Sequence, residues 1–452
     1  LQICINLYNK RTEKGAGGSE KPAEGRNMAK DNYIYTYYQG IKNGKYTVGK
    51  WIEALYDYII KGLEEKRFFF DQKKAADAID WIEKHCFHTE GPLAPGPLKL
   101  ETWQKAFISS IFGIVDENGK RVFREILLII SRKQGKSLLA SAIAKYVWEV
   151  DGGYGTDVFC IAPKLDQADI VYSTTWKMME LDPDYQTLKQ KIEDSRVGHQ
   201  KGMSTDELPR RRQSDLYISS TSSTVKKIAF SSKKSDGFSP SLTICDEIAA
   251  WSGDRGLKQY EVMTSGTGAR SEPLTLSCST AGYENDSIYD ELMKRATAVL
   301  LGNSKEKRLL PWLFMIDDIE KWNDINELRK SNPNLGVSIS VDFLLEQIAI
   351  AEGSLSKKAE FITKYCNLKQ TSSLAWLGSE IIEKTTGEPL HMEDFRGCYC
   401  VGGIDLSRTT DLTAATVVIE KGGELYVFAR FWLPAERIEE LTAADGVPYN
   451  IY

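Results

Sequence analysis

The sequence predicts an α/β protein built on a mostly parallel sheet with helices on both faces, followed by a smaller region of antiparallel hairpins. Three observations point there. Apolar runs of strand length alternate with helical patterns through the middle of the chain, and one of those runs leads into a glycine-lysine-serine turn. From Gly397 the pattern changes to alternating strands about a Gly-Gly turn at Gly422 and Gly423.

A chain of 452 residues exceeds what one hydrophobic core serves, so two or three domains are expected. The formal net charge of −5 excludes an overall basic nucleic-acid binder. A local patch remains open, because Lys201 to Lys234 holds eight Lys/Arg against three Asp/Glu. The eight cysteines lie scattered in apolar runs such as "VFCIAP" and "LTICDE", which suggests reduced core residues and a cytosolic protein rather than a disulfide framework. Ile126 to Ile130 is far shorter than the ~20 apolar residues that span a bilayer, and no membrane contact is expected.

Residues 1–27 include the polar, glycine-rich "NKRTEKGAGGSEKPAEGRN" and are expected to be a disordered leader, with Met28 as the biological start. An N-terminal helical region over 28–97 follows from "VGKWIEALYDYIIKGLEEKRF" and "KKAADAIDWIEKHCF", which place apolar residues three and four apart. The Pro/Gly-rich "EGPLAPGPLKL" closes it. Over 98–316, strands "REILLII", "TDVFCIAP", "VKKIAFSS", "SLTICDE" and "PLTLSCST" are interleaved with helices from Lys136 and Asp166. A helical linker is expected over 317–390, and a hairpin domain over 391–452.

The chemistry concentrates at "LLIISRKQGKSLLA" (Leu127 to Ala140). A phosphate loop reads G-x-x-x-x-G-K-[ST] and needs backbone N–H groups aimed at phosphates, a lysine for the β/γ oxygens and a hydroxyl for Mg²⁺. Gly135, Lys136 and Ser137 supply the last three positions between a buried strand and a helix start, but Ile130 occupies the first glycine position. Arg132, Lys133 and Gln134 lie inside the loop, and the two cations partly offset the missing glycine. "SLTICDE" ends an apolar strand in adjacent carboxylates, suited to holding Mg²⁺ through Asp246 and orienting water with Glu247. Loop and carboxylates together indicate an ATPase. Trp103 and Gln104 in "LETWQKAF" could stack on and read an adenine, or could simply belong to a helix with a buried tryptophan. Ser279 and Thr280 in "CSTAG" could sense the γ-phosphate, or form an ordinary turn. In "VGGIDLSRTTDLTA" an apolar strand delivers Asp405, with Asp411 six residues later; a lone strand Asp is commonly a cap or turn residue, but two-metal nucleases place their first carboxylate on such a strand, and Glu420, Glu424 and Glu436 are weak candidates for the further ligands that site needs.

Taken in chain order, "LETWQ", "SRKQGKS", "IAPKLDQA", "SDGFSPSLTICDE", "LSCSTAG", "SNPNLG" and "GGIDLSRTTDLTA" closely resemble the large terminase subunit of tailed bacteriophages, from about Ala76 to Pro448. In that family a loop lacking its first glycine but carrying a basic residue is usual. The resemblance implies a P-loop NTPase domain of the ASCE type that packages double-stranded viral DNA, then a ribonuclease H-like endonuclease domain that cuts concatemers. It implies Lys133 to Ser137, with Trp103, Gln104, Ser279 and Thr280, at ATP; Ser137 and Asp246 at Mg²⁺; Glu247 and Arg132 in catalysis; and Asp405 with Asp411 at nuclease Mg²⁺ or Mn²⁺. The implied partners are a small terminase subunit and the portal protein of the procapsid, with a homo-oligomeric ring of five docked at the portal vertex in the host bacterial cytoplasm. Family members continue past the position matching Tyr452, so a C-terminal truncation, an incomplete nuclease, weak ATP hydrolysis and little or no DNA cleavage are expected. The alternatives are a helicase-like translocase without cleavage and an inactive prophage remnant.

Other features are set aside. His85, Cys86 and His88 in "HCFH" lack a second ligand pair at zinc-finger spacing. Arg210, Arg211, Arg212, Lys226 and Lys227 could touch DNA or a neighbouring subunit's ATP, and Arg255 and Arg270 are further finger candidates.

Overall fold

A computed structural model describes residues 32–197, 208–229, 238–251, 253–283, 287–370, 390–406, 412–435 and 438. The chain divides into two compact units, Leu1–Trp376 and Leu377–Tyr452.

The first unit opens with three helices whose sequences carry their own start signals. Asn32 caps α1 (Tyr33–Lys42) by accepting from the Tyr35 N–H, and Asp71 caps α3 (Gln72–His85) by accepting from Lys74. In α2 (Lys50–Glu64), Ile52, Leu55, Tyr56, Ile59 and Ile60 are buried at helical spacing. The next helix, α4 (Thr102–Phe112), starts with a capping box made by Glu101 and Gln104.

The eight-stranded sheet comprises β1 (Glu125–Ile129), β2 (Asp157–Ala162), β3 (Arg210–Arg211), β4 (Asp215–Ile218), β5 (Ser223–Ala229), β6 (Leu242–Asp246), β7 (Leu274–Ser279) and β8 (Leu309–Leu313). Its order is β8-β1-β7-β6-β2-β5-β4-β3, parallel except where β4 and β3 add an antiparallel edge. Strands β6, β7 and β8 are buried along their whole length, as strands covered on both faces must be. Between them run α5 (Lys136–Tyr146), α6 (Leu165–Leu181), α7 (Pro183–Val197), α8 (Gly253–Ser265) and α9 (Ile288–Leu300).

Two features go beyond the sequence reading. The N-terminal helices share one continuous core with the sheet: Trp312 of β8 lies 6.3 Å from Tyr37, 5.8 Å from Tyr56 and 5.5 Å from Phe107, ring centre to ring centre. The run "LLPWL" is a strand despite Pro311, which is tolerated because β8 is an edge strand. A second, smaller core forms around Trp322, Phe361 and Tyr365, gathered by α10 (Ile325–Ser331), α11 (Val341–Glu352) and α12 (Leu355–Phe361).

In the second unit, β9 (Cys400–Asp405), β10 (Thr413–Lys421) and β11 (Glu424–Trp432) form an antiparallel meander, with Gly422 and Gly423 at positive φ in the expected turn.

Candidate functional site

Parallel register gathers the site. Ile129 lies opposite Ser279, and Asp246 opposite Cys278, so β1, β7 and β6 end side by side. The phosphate-loop strand and the carboxylate strand are separated by one strand, β7, which carries Ser279. Ile130 is fully buried and donates its N–H to the Ser279 carbonyl at 3.1 Å, so it prolongs the sheet where other phosphate loops have their first glycine.

The loop then turns through left-handed conformations at Lys133 (φ 65°) and Gly135 (φ 77°) and enters α5 at Lys136. Lys136 Nζ lies 2.9 Å from Glu247 Oε1. Glu247 itself is left-handed (φ 51°, ψ 48°), a conformation that costs a residue with a side chain about 1–2 kcal/mol. Burial pushes the Glu247 carboxyl up, but Lys136, Arg132 and the Ser279 hydroxyl outweigh it and hold the group ionised below its ordinary range. Asp246 is raised, first by burial and then by the Glu247 charge, against the pull of Lys136. Burial opposes the charge on Lys136, yet Glu247 and Asp246 together raise its pKa.

Asp246 Oδ1 accepts from the Glu247 N–H at 3.0 Å, and Ser137 is half-buried in the first turn of α5. One hydroxyl and one buried carboxylate, raised by burial and by its neighbour Glu247, form a donor set that fits Mg²⁺. Ser279 is fully buried and its Oγ accepts from the Ala249 N–H at 3.1 Å, while Thr280 is also buried.

Two of the nucleotide residues need correction. Trp103 offers no stacking face: it is buried, its indole N–H donates to Asn334 Oδ1 at 2.6 Å, and its ring meets Phe314 edge-on. Gln134 turns its side chain away from the phosphate position and into the protein, against Asn332 and Asn334, leaving only its backbone for a ligand. Gln104 is spent partly on the α4 cap through Oε1, but its Nε2 lies beside Gly135. Arg132 and Lys133 are exposed.

Sequence reasoning missed the segments that hold the loop from behind. Arg132 N–H donates to the Lys364 carbonyl at 3.0 Å, Ser131 Oγ to the Tyr365 carbonyl at 2.9 Å, and Asn367 Oδ1 accepts from Ala281 at 2.8 Å. The quoted "SNPNLG" stretch was the available signal, but its contact with a loop some 200 residues earlier is not encoded locally.

The set-aside residues have partners. His85 Nδ1 lies 3.1 Å from Asp182 Oδ2, and Lys145, fully buried, lies 2.7 Å from the same oxygen, so this acidic site already holds a cation. Arg212 pairs with Asp215, Lys226 with Asp157 and Lys227 with Asp169, while Arg211 stacks on Tyr172. Arg270 bonds the Ser239 and Gly155 carbonyls near the start of β2, at the opposite ends of the strands from the loop. The side chain of Arg255 lies outside the described residues.

In the second unit Asp405 ends β9 in an exposed position, paired in register with Ala414. Glu420 sits six residues further along β10, about 20 Å away at strand rise. Glu424 faces Lys421 beyond it, so neither glutamate joins Asp405. Asp411 lies outside the described residues, as does the side chain of Glu436.

This geometry has counterparts among known proteins. The family model for the terminase large subunit ATPase domain matches residues 102–298, and that for the terminase large subunit endonuclease domain matches 309–450. The chain belongs to the terminase large-subunit family. The terminase is 25% identical over 379 residues to the large terminase subunit of Enterobacteria phage HK97, covering 83% of this chain and 68% of that one. It is 23% identical over 385 residues to the large subunit of Lactococcus phage p2 (82% and 65%), and 28% identical over 211 residues to Protein YmfN of Escherichia coli K12 (46% of each). The match to YmfN thus spans under half of that relative's length. The crystal structure of the HK97 large terminase shares the fold, with a TM-score of 0.51 at 22% identity over 84% of this chain and 72% of that one. The endonuclease match begins at Leu309, in the strand that forms the edge of the ATPase sheet.

Proposed function

We propose that this terminase hydrolyses ATP at the Lys133–Ser137 loop and uses the energy to move double-stranded DNA into a procapsid. The observation that carries the reading is the Lys136–Glu247 contact, which brings together a phosphate-binding cation and a water-orienting carboxylate from the ends of two strands separated only by β7. Lys136 reaches the β/γ oxygens, the loop N–H groups cradle the phosphates, and Glu247 orients the attacking water and takes its proton. Ser137 and Asp246 would hold Mg²⁺, which when bound would neutralise phosphate charge. Arg132 adds positive potential beside Glu247, and Ser279 with Thr280 passes the change in γ-phosphate occupancy along β7.

Asp405 and Asp411 are proposed to hold Mg²⁺ or Mn²⁺ in the endonuclease region. A small terminase subunit, a portal protein and a ring of five copies complete the machine, working in the host cytoplasm at the portal vertex; family membership is what supports these. Among the described residues no helix is long and apolar enough to cross a membrane.

The test is Mg²⁺-dependent ATP hydrolysis by the 452-residue chain with and without linear duplex DNA, beside Lys136→Ala. DNA-stimulated turnover that disappears in the variant and on chelation of Mg²⁺ is expected. Undiminished turnover in the variant would overturn the assignment.

A further inference from the structure

The phosphate loop is locked by a run of side-chain amides whose directions are fully determined. Trp103 Nε1 can only donate, so Asn334 Oδ1 must accept, and Asn334 Nδ2 in turn donates to the Gln134 carbonyl at 3.0 Å. The Asn334 backbone N–H can only donate, so Gln134 Oε1 accepts it at 2.8 Å and Gln134 Nε2 donates to Asn332 Oδ1 at 3.0 Å. Asn332 Nδ2 then faces the Leu328 and Tyr365 carbonyls, both at 2.8 Å, which can only accept. Trp103, Gln134, Asn332 and Asn334 are 1–4% exposed, so water does not substitute for any of these bonds. No amide in the run can be turned over without breaking two contacts.

We propose that Gln134 is a positioning residue: it presets the phosphate loop for nucleotide and ties the loop's state to the segment 331–338 and to the chain at 364–367. The Gln134 side chain is spent on Asn332 and Asn334 and does not face the phosphate position. It acts through the backbone of the loop, because Asn334 bonds both its side chain and its carbonyl, one residue before Gly135. Ser338 Oγ adds a bond to the Lys133 carbonyl, and Lys364 and Tyr365 hold Arg132 and Ser131, so four successive loop residues, 131–134, are held from one side. A loop held on one side and free on the other is arranged to meet a ligand with little reorganisation. Any shift of the loop on binding must also be felt by these asparagines.

The inference rests on the ATP reading, and the test separates the two. Gln134→Glu keeps shape and the bond from the Asn334 N–H, but turns a carboxylate oxygen toward Asn332 Oδ1, an acceptor that cannot rotate. Binding of a fluorescent ATP analogue, steady-state KM and kcat, and thermal unfolding would be measured on the full chain. Gln134→Glu is expected to raise Kd and KM about tenfold or more with kcat within about threefold of wild type, because Asp246 and Glu247 hang on β6 and not on the amide run. Gln134→Met, which fills the space without polar atoms, should show the same split. A lowered melting temperature with unchanged Kd and KM would make Gln134 merely structural and overturn the proposal. If neither variant folds, amide hydrogen exchange on wild type decides: nucleotide should slow exchange in 331–338 as well as in the loop, and protection confined to the loop would refute it. Wild type that binds no nucleotide would instead remove the ATP reading itself, and this inference with it.

Discussion

The contact between Lys136 and Glu247 means that nucleotide must compete with a carboxylate for the loop lysine, and the size of that competition can be worked out. The atoms are 2.9 Å apart, with Lys136 10% and Glu247 33% exposed along their side chains. Unit charges about 4 Å apart attract by about 4 kcal/mol at an effective dielectric near 20. Desolvation and the partial exposure of Glu247 offset most of this, leaving on the order of 1–3 kcal/mol that Lys136 gives up on turning to a phosphate. Glu247→Gln preserves length and leaves the Lys136 ammonium a hydrogen bond to an uncharged amide oxygen, weaker than the charged pair by about 1–2 kcal/mol. The difference of about 1–2 kcal/mol predicts that the variant binds ATP roughly 5- to 30-fold more tightly. Hydrolysis should fall by about 100-fold or more, since the proton acceptor is gone. Titration with a fluorescent ATP analogue in Mg²⁺ and single-turnover hydrolysis measure the two quantities separately. A variant that binds ATP no more tightly than wild type would refute the competition, and one that hydrolyses ATP at the wild-type rate would remove Glu247 from the chemistry.

Two further outcomes follow from buried groups away from the loop. Burial alone would raise the Asp182 carboxyl, but the His85 hydrogen bond and the Lys145 ammonium outweigh it and hold the group at about 2. A depressed folded value stabilises above the unfolded value near 4 and loses its contribution as pH falls through the folded one. Asp182→Asn should therefore cost about 2–4 kcal/mol in urea unfolding at neutral pH, with the gap from wild type narrowing from about pH 5 toward about pH 3; an equal gap throughout would point to packing instead. Cys86, Cys160, Cys245, Cys278 and Cys366 are buried, and burial pushes the Cys86 thiol up to about 12. Alkylation of the native protein, mapped by mass spectrometry, should mark Cys400 and then Cys398 while sparing these five; rapid marking of Cys245 or Cys278 would contradict the sheet.

The parts of this molecule that could be read in its sequence are those whose signal is local. The strands ending at Ile129, Asp246 and Ser279 are apolar runs followed by turn residues, and the helices ending at Glu64 and His85 carry apolar stripes at three- and four-residue spacing. The site followed from these, because a parallel sheet brings its strand ends to one edge. What stayed hidden depends on distant partners. Trp103 has the same sequence environment whether it faces a base or Asn334, and only the fold decides. Gln134 sits within a binding motif and still points inward, since its acceptors and donors come from residues 332 and 334. Strand β8 was obscured by Pro311, whose missing N–H is harmless only at an edge that the sequence does not reveal. The paired basic residues looked available for phosphate because their partners Asp157, Asp169 and Asp215 were not known to lie beside them.

The missing first glycine can now be placed in physical terms. A glycine there would free the backbone to turn at once after the strand, whereas Ile130 continues it for one more residue, its side chain in the core and its N–H on Ser279. The turning is deferred to Lys133 and Gly135, the two left-handed positions of the loop. At Lys133 that conformation costs about 1–2 kcal/mol, which a loop held by its own backbone alone would tend to release. Here the residues on either side of the strain are tied down: Arg132 to Lys364, Lys133 itself to Ser338, and Gln134 to Asn332 and Asn334. Each tie contributes about 1 kcal/mol net, and each broken buried one costs more, so together they exceed the strain. The shape that a glycine would otherwise permit is therefore imposed from outside the loop, by segments that follow the sheet in sequence. A consequence is that the loop of this terminase should lose its nucleotide-ready shape when the 331–338 segment is disturbed, even with every residue of the phosphate motif intact.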